Sequence, residues 1–144
     1  MQIDADKGRA SAEAFIAADH PLFADHFTGS PLLPGSLMIE LAAQLSGPLA
    51  EESAKARLGI ERWAILGMIR DARFVSPVFL PATLDLSAEV IRSEPSTINT
   101  SVVAEVNGER VMQAQLVMIM IETSTELAQA IEARNNRLAR WKAS

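Results

Sequence analysis

The chain has 144 residues, 49% hydrophobic and 22% charged, so the expectation is one domain with one core. A net charge of −5, with no basic block before the C-terminal stretch, counts against nucleic-acid binding. There is no cysteine, which excludes disulfide and thiolate chemistry and accords with a reducing, cytoplasmic setting. The opening MQIDADKGR carries early acids and no apolar run, unlike a secretory signal, and no apolar stretch is long enough for a membrane span.

Ala10 to Ala17 alternates weakly and suggests a first strand. His20-Pro21 and Pro31 punctuate a long loop. A helix is expected to begin at Pro34 or Gly35, and Leu37, Met38, Leu41, Ala42 and Leu45 predict that it is largely buried. Pro48 lacks an N–H and is expected to kink or end it, with a second, more polar helical piece over 49–58 stopping at Gly59. The period then changes to two. Leu84, Leu86, Ala88 and Val90 alternate with polar residues, and Ile98, Thr100, Val102, Ala104 and Val106 form a similar set. Asn107-Gly108 after them predicts a hairpin. Over 109–121, Met112, Ala114, Leu116, Met118 and Met120 share one face. Val117, Ile119 and Ile121 make the other face apolar as well, which predicts a subunit contact or cover by the tail.

The tail opens with Thr123-Ser124-Thr125-Glu126, which fits a capping box. Leu127, Ile131, Leu138 and Trp141 recur at near-helical spacing, so a C-terminal helix is expected to pack through them. Arg137, Arg140 and Lys142 near its end complement the helix dipole, and its basic face is expected to be solvated. The expected organisation is a domain over 1–122 and a helical tail over 123–144. A buried helix followed by an antiparallel meander is α+β.

The most informative stretch is Asp25 to Gln44, DHFTGSPLLPGSLMIELAAQ. It places His26 in a Gly/Pro-rich loop and Glu40 on the helix that follows. Pro34-Gly35 at the helix start suits a backbone that approaches a ligand closely. The run resembles the signature of the hot-dog-fold 3-hydroxyacyl-acyl-carrier-protein dehydratases, HFPGxPxxPGxLxxExxxQ. His26, Phe27, Gly29, Pro31, Pro34, Gly35, Leu37, Glu40 and Gln44 all fall in register, and Glu40 follows His26 at the family's interval. Asp71-Ala72-Arg73-Phe74 with Pro77-Val78, and the closing run from Gly108 to Glu122, extend the likeness more weakly over about Ala10 to Glu122. The chain departs from the pattern at Asp25, at Thr28 where the family has Pro, and at Phe79-Leu80-Pro81-Ala82 where it has a Pro-Gly-Asp turn. It also has no tyrosine and no N-terminal His-Arg-Tyr-Pro-type segment.

The resemblance implies a hot-dog fold, an antiparallel sheet wrapped around a central helix, here with an extra C-terminal helix. It implies a dimer, or an assembly of dimers, that pairs the histidine of one subunit with the glutamate of the other. It also implies removal of water from a 3-hydroxyacyl thioester, with no metal or redox cofactor and the substrate held on the phosphopantetheine of acyl carrier protein. The chemistry suits the residues. A histidine, with a pKa near 6.5, can take the C2 proton, which is the role implied for His26. A carboxyl desolvated on an apolar helix can protonate the leaving hydroxyl, the role implied for Glu40, whose neighbours Met38, Ile39, Leu41 and Ala42 predict burial. Orphan amides at the helix start can hold the thioester oxygen, implying the Gly35 N–H. Gln44, one turn on, can hold the Glu40 carboxylate, and the Leu32 carbonyl is implied to orient the imidazole. Arg70 and Arg73 are the candidates for docking an acidic carrier.

Blander readings stand beside these. A lone loop histidine is usually a surface residue, His20 is expected to be structural, and the Met112, Met118 and Met120 stripe is expected to be core before it is an acyl tunnel. Two other functions remain open at this point: a hot-dog acyl thioesterase with Glu40 activating water, and a non-catalytic carrier-binding subunit. The retained His26 favours dehydration over the first. The departures at Asp25, Thr28 and 79–82 keep the second open, and leave acyl chain length and pathway undetermined.

Overall fold

The structure is a computed structural model that describes residues 1–18, 32–122, 129, 132–134 and 136–137. Its elements follow the chain as β1 (Gln2–Asp4), β2 (Arg9–Ile16), α1 (Gly35–Leu58), β3 (Trp63–Phe74), β4 (Ala82–Ser93), β5 (Thr97–Val106) and β6 (Glu109–Ile121). The strands form one antiparallel sheet in the order β1-β2-β4-β5-β6-β3. This is the expected α+β architecture. β2 lies near one side and β3 at the far edge, so α1, which connects them, crosses the face of the sheet and touches β2 to β6.

The period-two residues read from the sequence form the floor under that helix. Leu84, Leu86 and Ala88 of β4, Ile98, Val102 and Ala104 of β5, and Met112, Ala114, Leu116, Met118 and Met120 of β6 are all buried. The Met stripe is therefore core. The β5–β6 hairpin turns through Asn107 and Gly108, with φ of 52° and 80°. Two successive positive φ values are what a type I′ turn requires.

α1 corrects one expectation. Pro48 does not end it, and residues 35–58 make one helix that closes on Gly59. Gly59 is left-handed at φ 67° and its N–H bonds the Ala54 carbonyl, the predicted stop. A proline inside a helix costs about 3 kcal/mol. Burying a leucine contributes about 1.5–3 kcal/mol, and Leu45 and Leu49, on either side of Pro48, are both fully buried. Packing on the sheet outweighs the missing hydrogen bond.

β3 was only partly legible, because its side chains do not alternate. It carries two irregularities, one between Leu66 and Met68 and one between Arg70 and Arg73. At the first, a Cβ on Gly67 would run into the Ile119 side chain. At the second, Asp71 takes a positive φ of 52°. As the outermost strand, β3 leaves Ile65, Leu66, Met68 and Ile69 between 39% and 54% exposed. The outward face of neighbouring β6 is not buried in the single chain: Ile119 is exposed, and Val117 and Ile121 are partly so.

Residues 129, 132–134 and 136–137 are helical, as expected for the tail. The capping box and the packing residues Leu127, Ile131, Leu138 and Trp141 lie outside the described residues. The visible anchor is a residue that sequence reasoning did not single out. Arg134 donates to both carboxylate oxygens of Glu51, at 2.8 and 3.0 Å, and the two side chains are only 16% and 12% exposed. The expectation of a solvated basic face thus fails at Arg134 and holds at Arg137, which is exposed. Glu51 also accepts the Ala64 N–H at 3.2 Å. One carboxylate therefore joins α1, the start of β3 and the tail.

Breaking a largely buried ion pair leaves its partner uncompensated, at a cost of about 3 kcal/mol. Arg134→Ala is expected to lose about that much in urea unfolding. Arg137→Ala, at an exposed position, should change stability by less than about 0.5 kcal/mol. Equal effects of the two would show that the Glu51 contact does not hold the tail.

Candidate active site

The approach to α1 is pinned by backbone. The Leu33 N–H bonds the Val78 carbonyl at 2.9 Å, and Leu32 makes an isolated bridge to Phe79. Pro34 follows as an extended N-cap residue, with no side-chain cap. The first amides to bond back are those of Leu37 and Met38, both onto the Pro34 carbonyl. Among the described residues the Gly35 and Ser36 N–H groups are thus the orphan donors of the helix start. No acidic side chain stands in the first turn to compete for them.

Space beside Gly35 is tight. A Cβ there would stand 3.0 Å from two ring carbons of Phe74, the last residue of β3. In the sequence Phe74 stands out only as part of the weaker likeness to the family. A glycine at a helix start beside a Pro/Gly-rich loop was the available signal that something large lies close.

Glu40 sits on the side of α1 turned away from the sheet. Its carboxylate accepts from Gln44 Nε2 at 2.9 Å, so the proposed pairing one turn apart is realised. The expected burial of Glu40 is not: the residue is exposed in the single chain. Met38, Leu41 and Ala42 adjoin it in sequence but point into the core, while Glu40 lies around the helix from them. The described residues of its own chain leave this carboxyl in contact with solvent. Glu40 is five residues, or about 7.5 Å of helix rise, from the Gly35 amide. A ligand fixed at the amide can therefore extend to the carboxyl.

The other expected site residues divide. His26, and with it Asp25, Thr28 and His20, lies outside the described residues. Leu32 is half-buried at the helix approach. Arg70 and Arg73 are opposite Gln115 and Gln113 of β6, on the face of the sheet away from α1, so the structure does not bring them beside Glu40. Arg73 is already engaged by Asp71 at 3.0 Å, whereas Arg70 forms no ion pair among the described residues. Those residues also contain no cluster of His, Asp and Glu arranged to hold a metal ion, and none of their helices is long and apolar enough to cross a membrane.

A family model described as a FabA-like domain matches residues 1–115. The 3-hydroxyacyl-[acyl-carrier-protein] dehydratase FabZ of Mannheimia succiniciproducens is 36% identical over 116 residues, covering 80% of this chain and 76% of that protein. Among solved structures, the dehydratase heterocomplex ApeI:P from Xenorhabdus doucetiae superposes with a TM-score of 0.65 at 19% identity, over 91% of this chain and 85% of that one. A hypothetical thioesterase with coenzyme A from Streptococcus pneumoniae superposes equally well, at 0.65 with 12% identity, over 83% of each chain. Such distant likenesses establish the hot-dog fold and leave chemistry to the residues.

Overpacking costs about 1–3 kcal/mol. Gly35→Ala is expected to destabilise the protein in that range, and Phe74→Leu in the same chain should recover most of the loss. Urea unfolding of the single and double variants checks this. A Gly35→Ala variant as stable as the parent would remove the Phe74 contact as the reason for glycine.

Proposed function

The chain belongs to the FabA-like domain family, and from that premise we propose that it removes water from 3-hydroxyacyl thioesters on acyl carrier protein, giving trans-2-enoyl thioesters. The observation that carries this is the Gly35–Glu40–Gln44 arrangement: a helix-start amide with no acceptor among the described residues, and a carboxyl held one turn along by an amide side chain. Both belong to a chain that supplies His26 fourteen positions before Glu40.

In this reading the thioester oxygen accepts from the Gly35 N–H, where the helix dipole favours developing negative charge. His26 takes a proton from C2. Electrons move toward the thioester carbonyl and then expel the C3 hydroxyl, which leaves as water with a proton from Glu40. His26 ends protonated and Glu40 ionised, so one proton passes between them before the next turnover. The elimination is redox-neutral, and the phosphopantetheine serves as the handle of the substrate rather than as a reagent. Gln44 holds the Glu40 carboxyl, and the Leu32 carbonyl is assigned to the imidazole. The enzyme is placed in the cytoplasm, in fatty-acid or specialised acyl synthesis.

A second copy completes the site. The 12-residue edge strand β3 presents apolar side chains and an unpaired edge, a surface that soluble proteins cover or pair. Pairing two β3 strands would shield that edge and bring a second copy toward the exposed Glu40. Arg70 is the better candidate of the two arginines for contacting an acidic carrier, since Asp71 already neutralises Arg73.

His26→Ala and Glu40→Gln are each expected to lower dehydration of a 3-hydroxyacyl carrier-protein thioester by about 10²–10⁴, with melting unchanged. Mixing the two inactive variants should restore part of the activity, because a mixed dimer holds one intact site. Near-normal turnover by either variant would remove that residue from its role. A fully active monomer in light scattering would remove the shared site. Release of free acid in place of enoyl thioester would identify a thioesterase.

A further inference from the structure

Beneath the catalytic helix lies a polar contact that the reaction does not use. Thr100 Oγ1 donates to Ser46 Oγ at 2.9 Å, and both residues are fully buried. Ser46 stands near the middle of α1, and Thr100 is on β5, an interior strand. The core between helix and sheet mixes small groups, Ala42, Ala50 and Ala54 on the helix, with large ones, Leu45 and Leu49, and none of these offers Ser46 or Thr100 a polar side-chain partner. Methyl groups let the two surfaces approach closely. Apolar contacts are non-directional, whereas a hydroxyl–hydroxyl bond is made only at one separation and orientation, so it adds a register constraint that the leucines do not.

The hydrogen-bond ladder of the helix is also interrupted at this point. Pro48 has no N–H to give to the Gln44 carbonyl, and Gly47 adds backbone freedom beside it. The front segment, which bears Gly35, Glu40 and Gln44, therefore joins the rear of α1 across a gap in the hydrogen-bond ladder. Ser46 lies inside that gap.

We propose that Ser46 and Thr100 are positioning residues, whose buried hydroxyl bond fixes the axial register of the front half of α1 on the sheet. In doing so it sets where the Gly35 amide and the Glu40 carboxyl meet the substrate. The inference rests on the dehydratase reading above.

Ser46→Ala with Thr100→Val removes both hydroxyls together, leaving no orphan donor and nearly the same shape, so melting should stay close to the parent. Small misplacements of catalytic groups are costly, and kcat is expected to fall about ten- to a hundredfold with KM little changed. Pro48→Ala returns the missing N–H to the ladder, and in the double variant it should recover most of that loss. Amide hydrogen exchange over residues 35–48 should speed up in the double variant and slow again with Pro48→Ala. This second readout needs no turnover. If the parent dehydrates no thioester yet exchange responds as described, the functional reading fails and the register role stands. Single variants decide the matter if the double variant does not fold: Thr100→Ser keeps the donor and should keep kcat, whereas Thr100→Val should lower it. Parental kcat with parental exchange in the double variant, a loss that Pro48→Ala leaves untouched, or equal losses in Thr100→Ser and Thr100→Val would each overturn the proposal.

Discussion

Leu45 and Leu49 are fully buried where α1 crosses the sheet, and the site depends on that contact. Each contributes about 1.5–3 kcal/mol, and together with Ala42, Ala50 and Ala54 they commit one side of the helix to the core. The opposite side is thereby fixed as well. Glu40, Gln44 and Glu51 recur at spacings of four and seven, so they form a single stripe outside the core-facing side of the helix, reaching the start of β3 at Glu51. Near the front of the stripe stand the proposed acid and its holder. Farther back, Glu51 takes the guanidinium of Arg134. Burial of one face thus determines both where chemistry is possible and where the tail can dock.

β3 joins these regions at the sheet edge. At its start the Ala64 N–H bonds Glu51, and at its end the Phe74 ring closes on Gly35. The strand is tied to α1 at two points more than a dozen helix residues apart, while its middle carries two irregularities and exposed apolar side chains. Bulges on an edge strand re-aim side chains and twist the edge. In the proposed dimer the same strand would be the interface, so the wall of the site and the subunit contact would be one element. Such a dimer would cover part of the surface that leaves Glu40 exposed in the single chain.

The fold was legible because its longest signals are local. The alternation in β4, β5 and β6 and the Asn107-Gly108 turn can be read within a few residues, as can Gly59 at the end of α1. The pattern of proline, glycine, Glu40 and Gln44 also located the helix start and the Glu40–Gln44 contact. What could not be read depends on distant partners. Arg134 finds Glu51 across 83 positions, and Thr100 finds Ser46 across 54. β1 is only three residues long, too short to show a period. β3 has no clean alternation because its bulges break it. The burial expected for Glu40 failed for a different reason: sequence neighbours were taken for spatial neighbours, although successive helix residues point about 100° apart.

Charge places a further demand on the proposed reaction. The chain is net negative, and an acidic carrier would meet repulsion from the molecule as a whole. At physiological ionic strength the Debye length is about 8 Å, so exposed charges farther away than that are largely screened. Docking therefore depends on the cations near the point of contact more than on the total. Arg73 contributes little net field while Asp71 accepts from it at 3.0 Å, and Arg70 lies on the outer face rather than beside Glu40. Because the β3 edge is paired in the proposed dimer, a carrier that used Arg70 would have to pass its phosphopantetheine past an end of β3, rather than around its edge, to reach Gly35 and Glu40. A long flexible arm can span such a path, so the docking surface and the catalytic groups need not share a face of the sheet.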